Sequence, residues 1–326
     1  KEGTAYVTTE GARTATQGAE GTATPAAGGA AGVGSARGTA LCTGERDRTP
    51  PQYSMADLDL TDAANASGLE IMYDELDMQD QIGGGGFSLV YRAWWNSTPV
   101  AVKKWFDPEL TEKLMQEFRA EVLTLQELRH PHIVQFLGAC MRPPNLCIVM
   151  EYLPTSLHSL LHEQKVDIDR KRCLTLATDV ARAFEYLHSR KPPVIHRDIK
   201  PANFLVDRSW KVKLCDFGLV RIDVHDAGTP AYMAPELLAK KPYSEKVDVY
   251  AFGVMLNEMV SREVPHYMVP QHELVASVLN GERPEIALSC PRSIARFIKE
   301  CWAQDPADRP SFSTVSRSLK DLLKEM

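Results

Sequence analysis

No stretch of this sequence stays apolar for the roughly 20 residues that a membrane-spanning helix needs, so no span is expected. No basic segment followed by an apolar one marks a secretory leader. The chain begins with Lys1 rather than methionine, as a fragment or a processed product would. A basic excess is also missing: 37 Lys and Arg stand against 43 Asp and Glu, a formal net charge of -6. Nucleic-acid binders usually carry the opposite balance, so that class of partner is not expected. Cysteine is sparse and odd in number, with seven residues at 42, 140, 147, 173, 215, 290 and 301. None of the spacings reads as CxxC or as a zinc set. Reduced, mostly buried thiols in an intracellular, cytoplasmic setting are the expectation. No repeat recurs at a fixed period.

Large apolar residues are nearly absent from residues 1–68, which are rich in Gly, Ala, Thr and Ser. Such a segment cannot offset its ordering entropy by burial. It reads as a disordered tail and a passive linker, with phosphorylation of its Ser and Thr residues or a regulatory partner as the alternative. From Leu69 the pattern changes. Residues 76–106 read as three strands with a glycine turn between the first two. Leu114, Met115, Phe118, Val122, Leu125 and Leu128 recur at helical spacing over 112–129. Strands are predicted at 132–138, 146–151, 203–206 and 212–215. Helices are predicted at 173–189, 244–260, 270–280, 293–302 and 312–325. A small strand-rich part therefore precedes a larger helical part, an α+β arrangement.

Five short motifs carry chemistry. Ile82-Gly83-Gly84-Gly85-Gly86-Phe87-Ser88-Leu89-Val90 lies between two strand patterns, where glycines let backbone amides approach phosphate oxygens. By itself a glycine run reads first as a flexible hairpin. Val100-Ala101-Val102-Lys103 ends an apolar strand, so Lys103 should cost burial energy unless paired, and Glu121 on the next helix is the candidate partner. Each alone reads first as a solvated charge. His196-Arg197-Asp198-Ile199-Lys200-Pro201-Ala202-Asn203 gathers a carboxylate, an ammonium and a carboxamide in one loop. Asp216-Phe217-Gly218 follows a strand, and Asp216 and Asn203 offer the hard oxygens that Mg²⁺ prefers. Met233-Ala234-Pro235-Glu236 closes the series.

In this order and spacing the motifs resemble the eukaryotic protein kinase family, over the chain from about Tyr73 to its end. The resemblance implies the bilobal kinase fold for residues 69–326, with an N-lobe of about 73–150, a hinge of 151–154 and a C-lobe of 155–326. It implies ATP and Mg²⁺, with Mn²⁺ as a substitute, and protein substrates with Ser or Thr acceptors. Gly83 and Gly85 match the first two glycines of the phosphate-covering loop, and Ser88 stands where the third usually is. A serine there needs either a negative φ or some strain. Lys103 resembles the lysine that holds the α- and β-phosphates, with Glu121 as its partner. Asp198 resembles the catalytic base, Lys200 its phosphate-steadying neighbour, and Asn203 and Asp216 the metal ligands. Val90 and Ala101 resemble the roof of the adenine site and Leu205 its floor. Met150 falls at the gatekeeper position, before the hinge residues Glu151, Tyr152 and Leu153. Leu125, Phe136, His196 and Phe217 match the apolar column that links the lobes, anchored by Asp248. Glu236 and Arg309 resemble the buried ion pair of the helical lobe.

Two features bear on the acceptor. Lys200 and the Gly228-Thr229-Pro230-Ala231-Tyr232 stretch resemble serine/threonine kinases, with Thr229 placed to bridge Asp198 and Lys200. Cys301-Trp302, Arg309-Pro310-Ser311-Phe312 and the stretch from His132 to Gly138 resemble tyrosine kinases and the tyrosine-kinase-like group. The combination points to that group, with dual specificity, tyrosine specificity or a pseudokinase scaffold as the alternatives. The segment between Gly218 and Thr229 has no Ser, Thr or Tyr, so we expect Asp223 or Asp226, rather than a phosphate, to meet Arg197. Unchanged activity in both Asp223→Asn and Asp226→Asn would end that idea, and solvated loop charges are the plain alternative. Cys215 precedes Asp216, where it either lines the nucleotide pocket or is a small buried filler.

Overall fold

A computed structural model describes residues 69–84, 88–105, 112–218 and 228–326, with the side chains of 112–114 left out. The tail, Gly85, Gly86, Phe87, Asp223 and Asp226 lie outside the described residues.

Five antiparallel strands form the first sheet: β1 (Leu76–Gly84), β2 (Ser88–Trp95), β3 (Thr98–Trp105), β4 (Phe136–Cys140) and β5 (Cys147–Glu151), in the order β1-β2-β3-β5-β4. Side chains alternate across a strand, and that parity sorts the sheet's two faces. Val100, Val102 and Val149 pack into a small cluster with Ile71, Leu76 and Cys147. Trp105, Ile148 and Met150 belong to the main core on the other side. Lys103 shares its parity with Ala101 and Trp105. Its register partners are Val90 on β2 and Ile148 on β5, while Ala101 pairs with Met150. The helix α1 (Glu112–Glu127) covers this face with Phe118, Val122 and Leu125. The Trp105 and Phe118 rings meet edge to face at 5.0 Å. A lysine on β3 is thereby pointed at α1 by strand register alone.

The helical body contains α2 (Arg170–Ser189), α3 (Pro235–Leu238), α4 (Lys246–Ser261), α5 (Gln271–Leu279), α6 (Arg292–Cys301) and α7 (Phe312–Lys324). Asp169 caps α2 by accepting from the Arg172 amide at 2.6 Å, and Ser311 caps α7. α4 is buried all round from Val247 to Met259, the pattern of a central core helix. Gly253 lets α6 come close: a Cβ there would sit 2.9 Å from Cys301 Cβ. Arg309, fully buried, grips Glu236 with two bonds of 2.6 and 2.9 Å. Removing one partner of such a pair typically costs about 3–5 kcal/mol. A second sheet of β6 (Thr155–Ser156), β7 (Phe204–Val206) and β8 (Val212–Leu214) borders the cleft.

The expected strand at 132–138 is corrected: it starts only at Phe136. Residues 132–134 are drawn to the helical body instead. The Leu214 amide donates to His132 O, and the Val134 amide to Leu214 O. Patterning shows that these residues are buried, not which sheet claims them. The short β6 and the turn of π-helix at Ser159–Glu163 carry no periodic signal of their own and were not expected.

Candidate active site

Three charged groups from three elements meet beneath the first sheet. Lys103 Nζ lies 2.8 and 2.9 Å from the two Glu121 carboxylate oxygens and 2.9 Å from Asp216 Oδ1. Burial works against the ammonium, but the two carboxylates outweigh it and raise its pKa. The Lys103 charge holds the Asp216 carboxyl down at about 2, although its side chain is half open to the cleft. Asp216 sits at φ 64°, in the left-handed region, and the Gly218 amide bonds its Oδ1 at 3.3 Å. Asp216 is therefore ionised and fixed while still reachable.

The second group is the loop of residues 196–203. Asp248, on the buried α4, accepts from the backbone amides of His196 at 3.0 Å and Arg197 at 2.8 Å, and His188 Nε2 lies 2.9 Å away. Arg197 takes φ 67° there. The turn aims Asp198 into the cleft. Its Oδ2 lies 2.8 Å from Lys200 Nζ and accepts from Asn203 Nδ2 at 2.8 Å. Its Oδ1 accepts from the Thr229 hydroxyl at 2.9 Å, and Lys200 donates to Thr229 Oγ1 at 2.7 Å. Gly228, at φ 129°, brings Thr229 in: a Cβ there would lie 3.3 Å from both Arg197 O and Met233 Sδ. Asn203 Nδ2 also donates to Asp198 O at 2.8 Å, so Oδ1 is the amide atom left to meet a cation. With the Asp216 carboxylate this is an all-oxygen donor set, which fits Mg²⁺ or Mn²⁺ and not a soft metal.

The adenine-site candidates fall on one surface. Cross-strand partners share a face, so Gly83, Val90, Ala101, Lys103 and Met150 line the same side of the sheet. Met150 and Leu153 are buried, Leu205 on β7 is half-buried against the main core, and Ile82 is exposed. Gly84 is in β1; Gly85, Gly86 and Phe87 are the loop positions outside the described residues. Ser88 opens β2 and is not among the residues with positive φ, so it carries no strain of that kind. His196 and Phe217 stack edge to face at 5.4 Å, and Leu125 and Phe136 are buried in the same core. Cys215 donates to Asn203 O at 3.3 Å, and burial pushes its thiol up to about 12. That is the behaviour of a filler, not of a reactive thiol.

Several contacts escaped the sequence. Glu151, at the end of β5, pairs its carboxylate with Lys213 on β8 at 2.6 and 2.8 Å and accepts from the Gln135 amide at 2.7 Å. Arg92 stacks on the Tyr152 ring at 5.3 Å. Arg197 donates to Tyr243 Oη at 3.2 Å, and Tyr232 donates to Glu258 at 2.8 Å. These contacts join residues 16 to 62 positions apart, and no spacing rule marks the pairings.

A five-stranded sheet over a helical body, with these motifs facing one another across the cleft, is the bilobal fold of the protein kinases. The chain belongs to that family: the family model described as "Protein tyrosine and serine/threonine kinase" matches residues 76–319. It is 42% identical, over 81% of its length, to "Probable serine/threonine-protein kinase SIS8" of Arabidopsis thaliana, covering 26% of that protein. It is 41% identical, over 78% of its length, to "Serine/threonine-protein kinase CTR1" of the same plant, covering 32% of it. It is 40% identical, over 78% of its length, to "Probable serine/threonine-protein kinase drkD" of Dictyostelium discoideum, covering 20% of it. The chain thus spans a third or less of the length of these curated relatives. Among the described residues no helix is long and apolar enough to cross a membrane.

Proposed function

We propose that this chain is an ATP-dependent protein kinase that transfers the γ-phosphate to Ser or Thr hydroxyls of protein substrates in intracellular signalling. The observation that carries the reading is the triangle of Asp198, Lys200 and Thr229, set opposite the Lys103–Glu121–Asp216 cluster. Glu121 holds the Lys103 ammonium where it would pair with the α- and β-phosphates. Asn203 and Asp216 would hold Mg²⁺, or Mn²⁺, which when bound neutralises phosphate charge. The acceptor hydroxyl gives its proton toward the Asp198 carboxylate as its oxygen bonds to the γ-phosphorus; the bond to the bridging oxygen breaks and ADP leaves. Lys200 offsets the charge on the moving phosphoryl group. Positioning and electrostatics, not covalent catalysis, supply the rate. The Lys200–Thr229 bridge supports Ser/Thr over Tyr acceptors. The mixed motifs of the C-lobe, with the Ser/Thr kinase names of the relatives, support the tyrosine-kinase-like group.

The test is phosphoamino-acid analysis of a protein substrate after incubation with Mg-ATP. Phosphoserine or phosphothreonine should form, and Asp198→Asn should lower the rate by about 10²–10⁴-fold. Phosphotyrosine alone would overturn the acceptor class; equal rates in wild type and variant would overturn the enzyme.

A further inference from the structure

Away from the cleft, the segment after β6 presents ligand-type side chains that phosphoryl transfer does not use. His158 and His162 stand four residues apart on one helical turn, so both imidazoles emerge on the same side. Their rings are 4.9 Å apart. Glu258, on α4, faces them with its side chain fully buried. His162 Nε2 lies 2.8 Å from Glu258 Oε1, while Oε2 accepts from Tyr232 Oη at 2.8 Å. One ligand atom from each of His158, His162 and Glu258 lies within 4.8 Å of the other two.

We propose that His158, His162 and Glu258 form a Zn²⁺ site, completed by water, that staples the Ser159–Glu163 turn to α4. Two imidazole nitrogens and one carboxylate oxygen suit Zn²⁺ rather than the hard cations of the cleft. Bonds of about 2.0–2.1 Å in a tetrahedron place ligand atoms roughly 3.3 Å apart, so rotamer-scale motion from the present separations closes the site. The Tyr232 hydroxyl already orients the carboxylate and leaves Oε1 toward the histidines, as an outer-shell donor does at metal sites. Solvent reaches His162 through a surface groove lined also by Leu161, Lys165, Asp167 and Arg262. The cations on that rim weaken the site but do not fill it: the Arg262 guanidinium is bonded to the carbonyls of Val166 and Ile168. Tyr232 lies three residues past Thr229, so the staple also braces the loop that carries Thr229. The proposal does not rest on the kinase reading.

The full chain, stripped of metal, is titrated with Zn²⁺ by calorimetry and followed by thermal unfolding. One equivalent should bind with Kd of about 10 μM or tighter. At a hundredfold excess over Kd the Tm should rise by about 5–10 °C. His158→Ala and His162→Ala, each with a metal-free Tm near that of the wild type, should lose that equivalent and the rise. Co²⁺ in place of Zn²⁺ should give visible d–d bands without thiolate charge transfer, which separates this site from any cysteine site. No bound equivalent, binding unchanged in both variants, or a thiolate band would each overturn the proposal.

Discussion

Cys215 illustrates how a side chain's surroundings decide its chemistry. It lies one residue from the ionised Asp216, yet burial and that neighbouring charge both disfavour the thiolate. With the thiol pushed up to about 12, only about one molecule in ten thousand is thiolate at pH 8. Labelling by iodoacetamide, read by mass spectrometry of the peptide, should be about a thousandfold slower than for an unperturbed thiol of pKa about 9. Because the folded pKa is raised, the rate should climb about tenfold per pH unit up to about 12. Labelling at the rate of a model thiol would show that the pocket is open. The same contrast limits what residue types reveal. Lys103 and Glu121 were legible because a buried lysine demands a carboxylate, and Asp216 because its motif marked it, although its bond to Lys103 was not foreseen. Lys213 and Glu151 were not, since a surface-type charge pair has no spacing rule when its members sit on strands of different sheets.

That pair belongs to the scale of elements. Glu151 ends β5 and Lys213 lies on β8, so their bond, with the Gln135 amide, ties the first sheet to the second beside the hinge. Both side chains are partly exposed, at 20% and 26%, so screening keeps the pair's worth near 1 kcal/mol or less. Lys213→Met should lower Tm by about 2–4 °C. Glu151→Gln should do the same, and the double variant should fall no further than the worse single one. Additive losses would show that the two charges act separately. Elements with strong periodicity, such as α2, α6 and α7, were readable to within a few residues. The 132–134 stretch was not, because tertiary pairing with β8 overrode a locally strand-like sequence.

On the scale of the molecule, the order of motifs along the chain carried more than any of them singly. A glycine run, a lysine and a carboxylate-bearing loop become one site only when β3 register points Lys103 at α1 and α4 lifts Asp198 into the cleft. The His158–His162–Glu258 cluster stayed hidden because Glu258 is 96 residues from His162 in sequence. The fold alone makes them neighbours.

Asp248 has one more consequence. His196 and Arg197 lie in a loop, and loop amides ordinarily trade their hydrogens with solvent within moments. Here both donate to a wholly buried carboxylate on the central core helix, so exchange at either requires breaking a buried hydrogen bond. Their deuterium uptake should therefore be among the slowest in the chain and match that of the α4 amides around Phe252. In Asp248→Asn the two loop amides should exchange at least about tenfold faster. If wild-type His196 and Arg197 exchange as fast as exposed turns, the tether does not hold in solution. A clock read at two backbone nitrogens would thus report how firmly the core grips the reacting loop.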